Sequence, residues 1–294
     1  MAGLTLTVTD RQAGRTVGSL LKRELGLSTT LVNRLKRSET GLLLDGERVF
    51  TNAVVRAGQT LTADLTAAER PTRVQPATMD LTILFEDEHL LALDKPAPLA
   101  AIPSSLRPGE LTLANGLAHY LGEGFTFHPV NRLDRGTTGV MVVAKSGYIH
   151  DQLRRRLHTG AFRRQYLALC LGCPQPLQGS VTLPIGRDPA SAIRRRIDPQ
   201  GQPARTDYRV LETRRGLTLV ELTPQTGRTH QIRVHMAALG CPLAGDWLYG
   251  TEDPALIRRP ALHAAALALD HPVTGEHLSF TAPLPADMLY IWEP

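Results

Sequence analysis

The chain has 294 residues, 42% of them hydrophobic and 21% charged, and carries a net charge of +5. That length allows a substantial core and two domains, and the composition is ordinary for a globular protein. No run of about 18 apolar residues occurs, so no membrane-spanning helix is expected. The start, MAGLTLTVTDRQ, lacks the basic stretch and apolar block of an export signal, so a cytoplasmic protein is the expectation.

Three cysteines suit a reducing compartment and give no disulfide framework. Cys170 and Cys173 form a lone C-x-x-C, and with only Cys241 left over they make no zinc set. The positive charge favours a polyanionic partner only weakly. The 29 arginines against 4 lysines are compatible with genome base composition alone, so their positions say more than their number.

Residues 1–65 read as a small α+β unit. VGSLLKREL (17–25) and TTLVNRLKR (29–37) have apolar residues at helical spacing, with Ser28 at an N-cap position. GLLLDGERVF (41–50) places Asp45-Gly46 between two apolar runs, a hairpin signal. Arg11, Arg15, Lys22, Arg23, Arg34, Lys36 and Arg37 stand against one acid, Glu24. A solvated face explains most such runs; a backbone grip on RNA is the sharper reading, and Arg34, Lys36 and Arg37 are its candidates. Residues 66–79 lack periodicity, contain two prolines and read as a linker.

From residue 80 to 294 short apolar runs recur, at 81–85, 89–94, 139–145, 165–172, 180–185, 206–212 and 217–222, with helical candidates near 112–121, 147–158 and 229–239. Many strands without regular βαβ alternation predict an α+β domain on a mixed, mostly antiparallel sheet.

HPVNRLDRGTTGVMVVAKS (128–146) is a polar loop feeding an apolar strand. Asp134 sits between Arg132 and Arg135, two cations that would favour its ionised, nucleophilic form. TPQTGRTHQIRVHMAALGCPLAGDWLYG (223–250) crowds Arg228, His230, Gln231, Arg233 and His235 into eight positions. A helix starting near Thr229 would gather these groups for an anion. His230 and His235 are five apart, off the spacing of a helical metal pair, so no metal is expected.

These segments resemble the RluA-type pseudouridine synthases. The resemblance runs from about residue 81 through DEHLLALDKPAPL (87–99), NRLDRGTTG (131–139), RRQYLAL (163–169), ARTDYRV (204–210), TGRTHQIRVHM (226–236), GDWLYG (245–250) and LHAAALALDHPVTGE (262–276). The first unit is similar to the S-four-like RNA-binding domain, named for a ribosomal protein, that often precedes this catalytic domain. The resemblance implies that Asp134 is the catalytic carboxylate and Arg233 its paired arginine. It makes Tyr166 the aromatic residue that stacks on uracil and can serve as a base. Lys95 and Pro96 match a structural block. Asn131, Gly136 and Thr138 depart from the commonest loop residues and leave the aspartate in place.

The implied reaction isomerises uridine to pseudouridine in structured RNA. Substrate and product are isomers, so no cofactor is expected. Arg132, Arg135, Arg154, Arg155, Arg228 and His230 are candidate RNA contacts around the site, and the run Arg194–Arg196 is another. The two-domain layout resembles members that act on large-subunit ribosomal RNA, with transfer RNA as the alternative, and a monomer is expected. Two other readings compete: a non-catalytic ribosome assembly factor, which would not require Asp134, Tyr166 and Arg233 together, and a carboxylate hydrolase of nucleosides or sugars, which leaves the basic first unit unexplained.

Overall fold

Hydroxyl side chains start the first two helices. Thr16 accepts from the Ser19 N–H at the head of α1 (Val17–Arg23), and Ser28 from the Leu31 N–H at the head of α2 (Thr29–Leu35). The computed structural model describes residues 3–69, 72–122, 124–157 and 161–293. Around the two helices lie β1 (Gly3–Thr7), β2 (Leu42–Leu44), β3 (Glu47–Arg48) and β4 (Thr60–Asp64), an antiparallel sheet in the order β1-β4-β2-β3. Asp45 (φ 51°) and Gly46 (φ 87°) make the tight β2–β3 turn, both in the left-handed region that a two-residue hairpin needs. Val17, Leu20, Leu21, Leu31, Val32 and Leu35 close over Leu42, Leu61 and Ala63 as a separate core.

The linker expected over 66–79 begins as a 3-10 turn at Thr66–Ala68; residues 70 and 71 lie outside the described residues. Residues 72–79 then run pinned along the larger unit. Thr72 donates from its N–H to the Phe125 carbonyl and accepts from the Phe127 N–H, and Asn115 Nδ2 donates to the Gln75 carbonyl. This segment is a strap, not a free tether.

The larger unit comprises β5 (Thr82–Glu86), β6 (Leu90–Lys95), α3 (Leu113–Leu121), β7 (His128–Pro129), β8 (Thr138–Ala144), α4 (Gly147–Arg156), β9 (Phe162–Leu171), β10 (Gln178–Val181), β11 (Ile185–Arg187), β12 (Arg195–Ile197), β13 (Thr206–Arg214), β14 (Leu217–Pro224), α5 (Gln231–Ala238), β15 (Leu262–Asp270), β16 (His277–Thr281) and α6 (Ala286–Trp292). Its main sheet runs β10-β13-β14-β9-β15-β8-β6-β5, with β16 beside β15 and β7 beside β8. Every pairing is antiparallel except β15–β8. The expected mixed, mostly antiparallel α+β architecture is therefore present. The run expected at 180–185 divides into β10 and β11, with Pro184, which has no N–H to donate, between them.

Both faces of the central strands are covered, which explains their unbroken apolar runs. Leu91, Leu93, Met141 and Val143 face α3 and α5, while Leu90, Ala92, Val140 and Val142 face Ile149 and Leu153 of α4. The parallel pair β8–β15 starts in register at Thr138 and His263, so the segments entering both strands meet at one sheet edge. Loop 131–137 is one of those segments.

Candidate active site

Loop 131–137 is fixed from several sides. Asn131 accepts from the Val142 N–H (2.8 Å) and donates to the Val140 carbonyl (3.1 Å). Arg259 donates to the carbonyls of Gly136, Pro260 and Leu262 and holds Asp287 with Nε and Nη2, both at 2.7 Å. At Gly136 a Cβ would stand 3.1 Å from Pro260 Cδ, a tight contact that Pro260 would have to relieve by a few tenths of an ångström. Thr138 Oγ1 hydrogen-bonds His263 Nδ1 at 2.9 Å. The three departures from the commonest loop pattern are thus built into its local packing.

Asp134 lies 31% exposed in a cavity of about 620 Å³ that Arg132, Arg135, Arg154, Tyr166, Arg228, His230 and Arg233 also line. Within 4 Å among the described residues its carboxylate forms an ion pair with Arg233 (Nη1–Oδ2 3.5 Å) and faces the His230 ring (Nε2–Oδ2 3.9 Å). The expectation that the flanking arginines hold it needs correction. Arg135 turns away to Glu110, with Nη2–Oε1 at 2.6 Å, and Arg132 makes no ion pair with Asp134. The charge opposite Asp134 comes from α5, 99 positions on in the sequence by the difference of 233 and 134.

Arg233 is buried, and its two-toothed grip closes on Asp246, not Asp134. Nε and Nη2 donate to the Asp246 carboxylate at 2.7 and 2.8 Å. The implied pairing of Arg233 with Asp134 is therefore through one nitrogen: Asp246 fixes the guanidinium and leaves Nη1 for Asp134. Asp246 is wholly buried and also accepts from the Leu248 and Tyr249 N–H groups. Its block, GDWLYG, belongs to the resemblance, which implies no role for it; the local signal is an acid among apolar and aromatic neighbours.

Tyr249 was likewise unassigned. Its ring lies 5.0 Å from the Arg233 guanidinium carbon. Its oxygen accepts from the Arg195 N–H and hydrogen-bonds His230 Nδ1, both at 2.8 Å. With the phenolic proton given to Nδ1, the imidazole carries its own proton on Nε2, the nitrogen facing Asp134. Burial pushes His230 below the ordinary histidine value, against the pull of Asp134. The helix expected from Thr229 begins two residues later, at Gln231, because His230 takes a left-handed conformation (φ 57°) at its N-cap. Gln231 serves structure: it accepts from Thr226 and the Arg228 N–H and donates to Arg205 and Thr206.

Tyr166 is 7% exposed on β9, in the same core face as Ile232 of α5. Burial raises its pKa, so it stays protonated near neutral pH. Lys95 is fully buried and donates to the Pro96 and Leu99 carbonyls, each at 2.8 Å. Burial pushes it down to about 7, with Asp134 pulling the other way. Among the described residues no group of three or more His, Cys, Asp or Glu is placed to hold a metal ion.

The other predicted contacts separate. Arg154 lines the cavity, whereas a Cβ on Gly26 of the first unit would stand 3.4 Å from Arg155 Nη1, and Arg156 donates to the Asp270 carbonyl. Successive residues on a helix point about 100° apart, so one arginine of three reaches the cavity. Arg228 lines it while Nε holds the Pro203 carbonyl. Lys36 and Arg37 are exposed on the first unit, away from this cavity, and Arg34 is half-buried, close enough to lower the Glu69 pKa.

A carboxylate held beside a fixed guanidinium, with an aromatic residue in the same cavity, can act on a nucleoside sugar. Residues 89–238 match the family model described as RNA pseudouridylate synthase. The chain belongs to this family. The synthase is 40% identical over 268 residues to the uncharacterized RNA pseudouridine synthase YjbO of Bacillus subtilis, covering 90% of this chain and 94% of that protein. It is 44% identical over 225 residues to the ribosomal large subunit pseudouridine synthase D of Nitrosomonas europaea, covering 73% of this chain and 65% of that one. A solved structure, human RNA pseudouridylate synthase domain containing 4, superposes with a TM-score of 0.57 at 28% identity, over 71% of this chain and 91% of its own. The synthase isomerises uridine in RNA.

Proposed function

We propose that Asp134 is the catalytic carboxylate and that the substrate is large-subunit ribosomal RNA. One observation carries the first part: a partly exposed carboxylate stands in a cavity with Tyr166 and faces a guanidinium that a second, buried carboxylate already fixes. In the reaction the N1–C1′ bond breaks, the uracil turns, C5 bonds to C1′, N1 gains a proton and C5 loses one. Asp134 supports the sugar as the bond breaks, by attack or by charge. Arg233 keeps that carboxylate ionised and aimed. Tyr166 holds the face of the detached base. A base inside folded RNA must leave its stack to reach this cavity.

Relatives named ribosomal large subunit pseudouridine synthase D, from two organisms, support the ribosomal substrate. The test is tritium release from 5-tritiated uridine in unmodified transcripts of large-subunit ribosomal RNA and of transfer RNA. Release from the ribosomal transcript alone is expected; release from transfer RNA alone would replace the substrate.

We infer that residues 3–65 form an RNA-gripping unit of the S-four-like kind, with Lys36 and Arg37 exposed on it for phosphates. Because residues 72–79 are hydrogen-bonded to the larger unit, a truncation should start at residue 72. It should bind RNA more weakly with a shallower salt dependence, and an unchanged salt slope would make the unit a bystander.

A further inference from the structure

The catalytic cavity has a neighbour of about 580 Å³ where β9 and β14 part. These strands pair from Leu171–Leu217 to Tyr166–Leu222 and no further. Beyond that point β14 stays with β13, through Asp207–Thr223 and Thr206–Pro224. β9 stays with β15, through Gln165–Ala266, Arg164–Leu267 and Arg163–Ala268. The split therefore opens one residue before Tyr166.

Leu157, Arg164 and Pro224 line both cavities, so the two share this wall. Arg164 spans the split: Nη2 donates to the Pro224 carbonyl at 2.9 Å, and Nε is buried without a hydrogen-bond partner. A buried unpaired donor costs free energy, so the side chain is held across the gap against a penalty. Phe162, Leu267 and Ala268 give the second cavity an apolar floor, and Arg163 lies on its exposed side. No acid is among its described lining residues.

We propose that this cleft receives the RNA strand next to the extruded uridine, with an unpaired base on the Phe162–Leu267 floor and its phosphate against Arg163 and Arg164. The proposal rests on the Asp134 cavity being the uridine site. A nucleotide tied to the one in that cavity needs an adjoining space, and this cleft shares the Arg164 wall with it. An apolar floor beside arginines suits unpaired RNA, whose bases are held by their faces and whose backbone is held by cations. The cavity's size is within the range of pockets that bury a small organic group.

Ser279 is exposed on the rim and bears no part of the Asp134 constellation, so charge can be placed there in either sign. With the full-length protein and the unmodified large-subunit transcript, Ser279→Glu should raise the RNA Kd several-fold, and Ser279→Lys should lower it and steepen the salt slope by about one. A folding defect cannot produce opposite shifts. The same two changes at Tyr290, 78% exposed on α6, should leave Kd flat. Equal Kd values for Ser279→Glu, Ser279→Lys and wild type, shifts of the same sign, or equal shifts at Tyr290 would overturn the cleft as an RNA path. Failure of the wild type to release tritium from that transcript would overturn the substrate reading alone, because the cleft is judged by binding.

Discussion

Loop 131–137 and turn 245–249 each bring an aspartate to the same guanidinium, and they differ in nearly every other respect. Asp134 is 31% exposed and meets Arg233 through one nitrogen at 3.5 Å. Asp246 is wholly buried and holds Arg233 through two nitrogens and two backbone N–H groups besides. A carboxylate saturated with donors is a poor nucleophile, and one with free lone pairs in a cavity is a good one. The contrast supports the proposal that Asp134 reacts, while Asp246 holds the arginine in place.

The largest effect should follow Asp134→Asn. The amide keeps the shape and loses the charge, so tritium release should fall at least about a thousandfold while RNA affinity persists. Appreciable turnover by this variant would move the chemistry elsewhere and break the comparison at its root.

Asp246→Ala attacks the other member. It leaves the Arg233 charge buried without its two-toothed partner, a loss of about 3–5 kcal/mol measurable by denaturant unfolding. Asp134→Asn should barely change stability. If the two variants unfold alike, Asp246 does not have the structural role assigned to it.

Arg233→Lys tests the shared partner. An ammonium keeps the charge but cannot bridge two Asp246 oxygens while also facing Asp134, so the single-turnover rate at saturating enzyme should drop about a hundredfold. Arg154→Ala, on the cavity wall, should weaken RNA binding more than rate. The opposite pattern would transfer the catalytic arginine to another position, with Arg228 next.

Much of this was legible in the chain. Asp134, Tyr166 and Arg233 stand in ordered blocks, and the structure brings them to one cavity. Asp246 stood in the GDWLYG block but reads locally as an acid in a turn after glycine, and nothing in sequence says which distant group it faces. The Arg132–Asp134–Arg135 cluster misled for the converse reason: adjacency along a loop does not fix side-chain direction, and Arg135 found Glu110 instead. Strand β15, LHAAALALD, has no clear strand signal in sequence, because its alanines weaken the alternation that marks strands; its pairing with β8, β9 and β16 decides it. The strap at 72–79 has no periodicity because most of its bonds are to Phe125, Phe127 and Asn115, with a single backbone bond, Val74 N–H to the Thr72 carbonyl, within itself among the described residues.

The smallest expected effect, and the finest test of the contrast, is at Tyr249. Its N–H caps Asp246, and its hydroxyl reaches His230, which faces Asp134, so this residue joins the two regions. Tyr249→Phe keeps the backbone N–H and the ring that lies against Arg233, and removes only the hydroxyl. Unfolding should therefore stay close to wild type, since the Asp246–Arg233 pair is untouched. His230 Nδ1 would lose its partner and the imidazole could hold its proton on either nitrogen. Its Nε2–H would then face Asp134 only part of the time. The single-turnover rate should fall about fivefold, the net worth of one hydrogen bond. The His230→Ala, Tyr249→Phe double variant should be no slower than His230→Ala, because the hydroxyl acts through that ring. Additive losses would show that the hydroxyl serves the site through Arg195 instead.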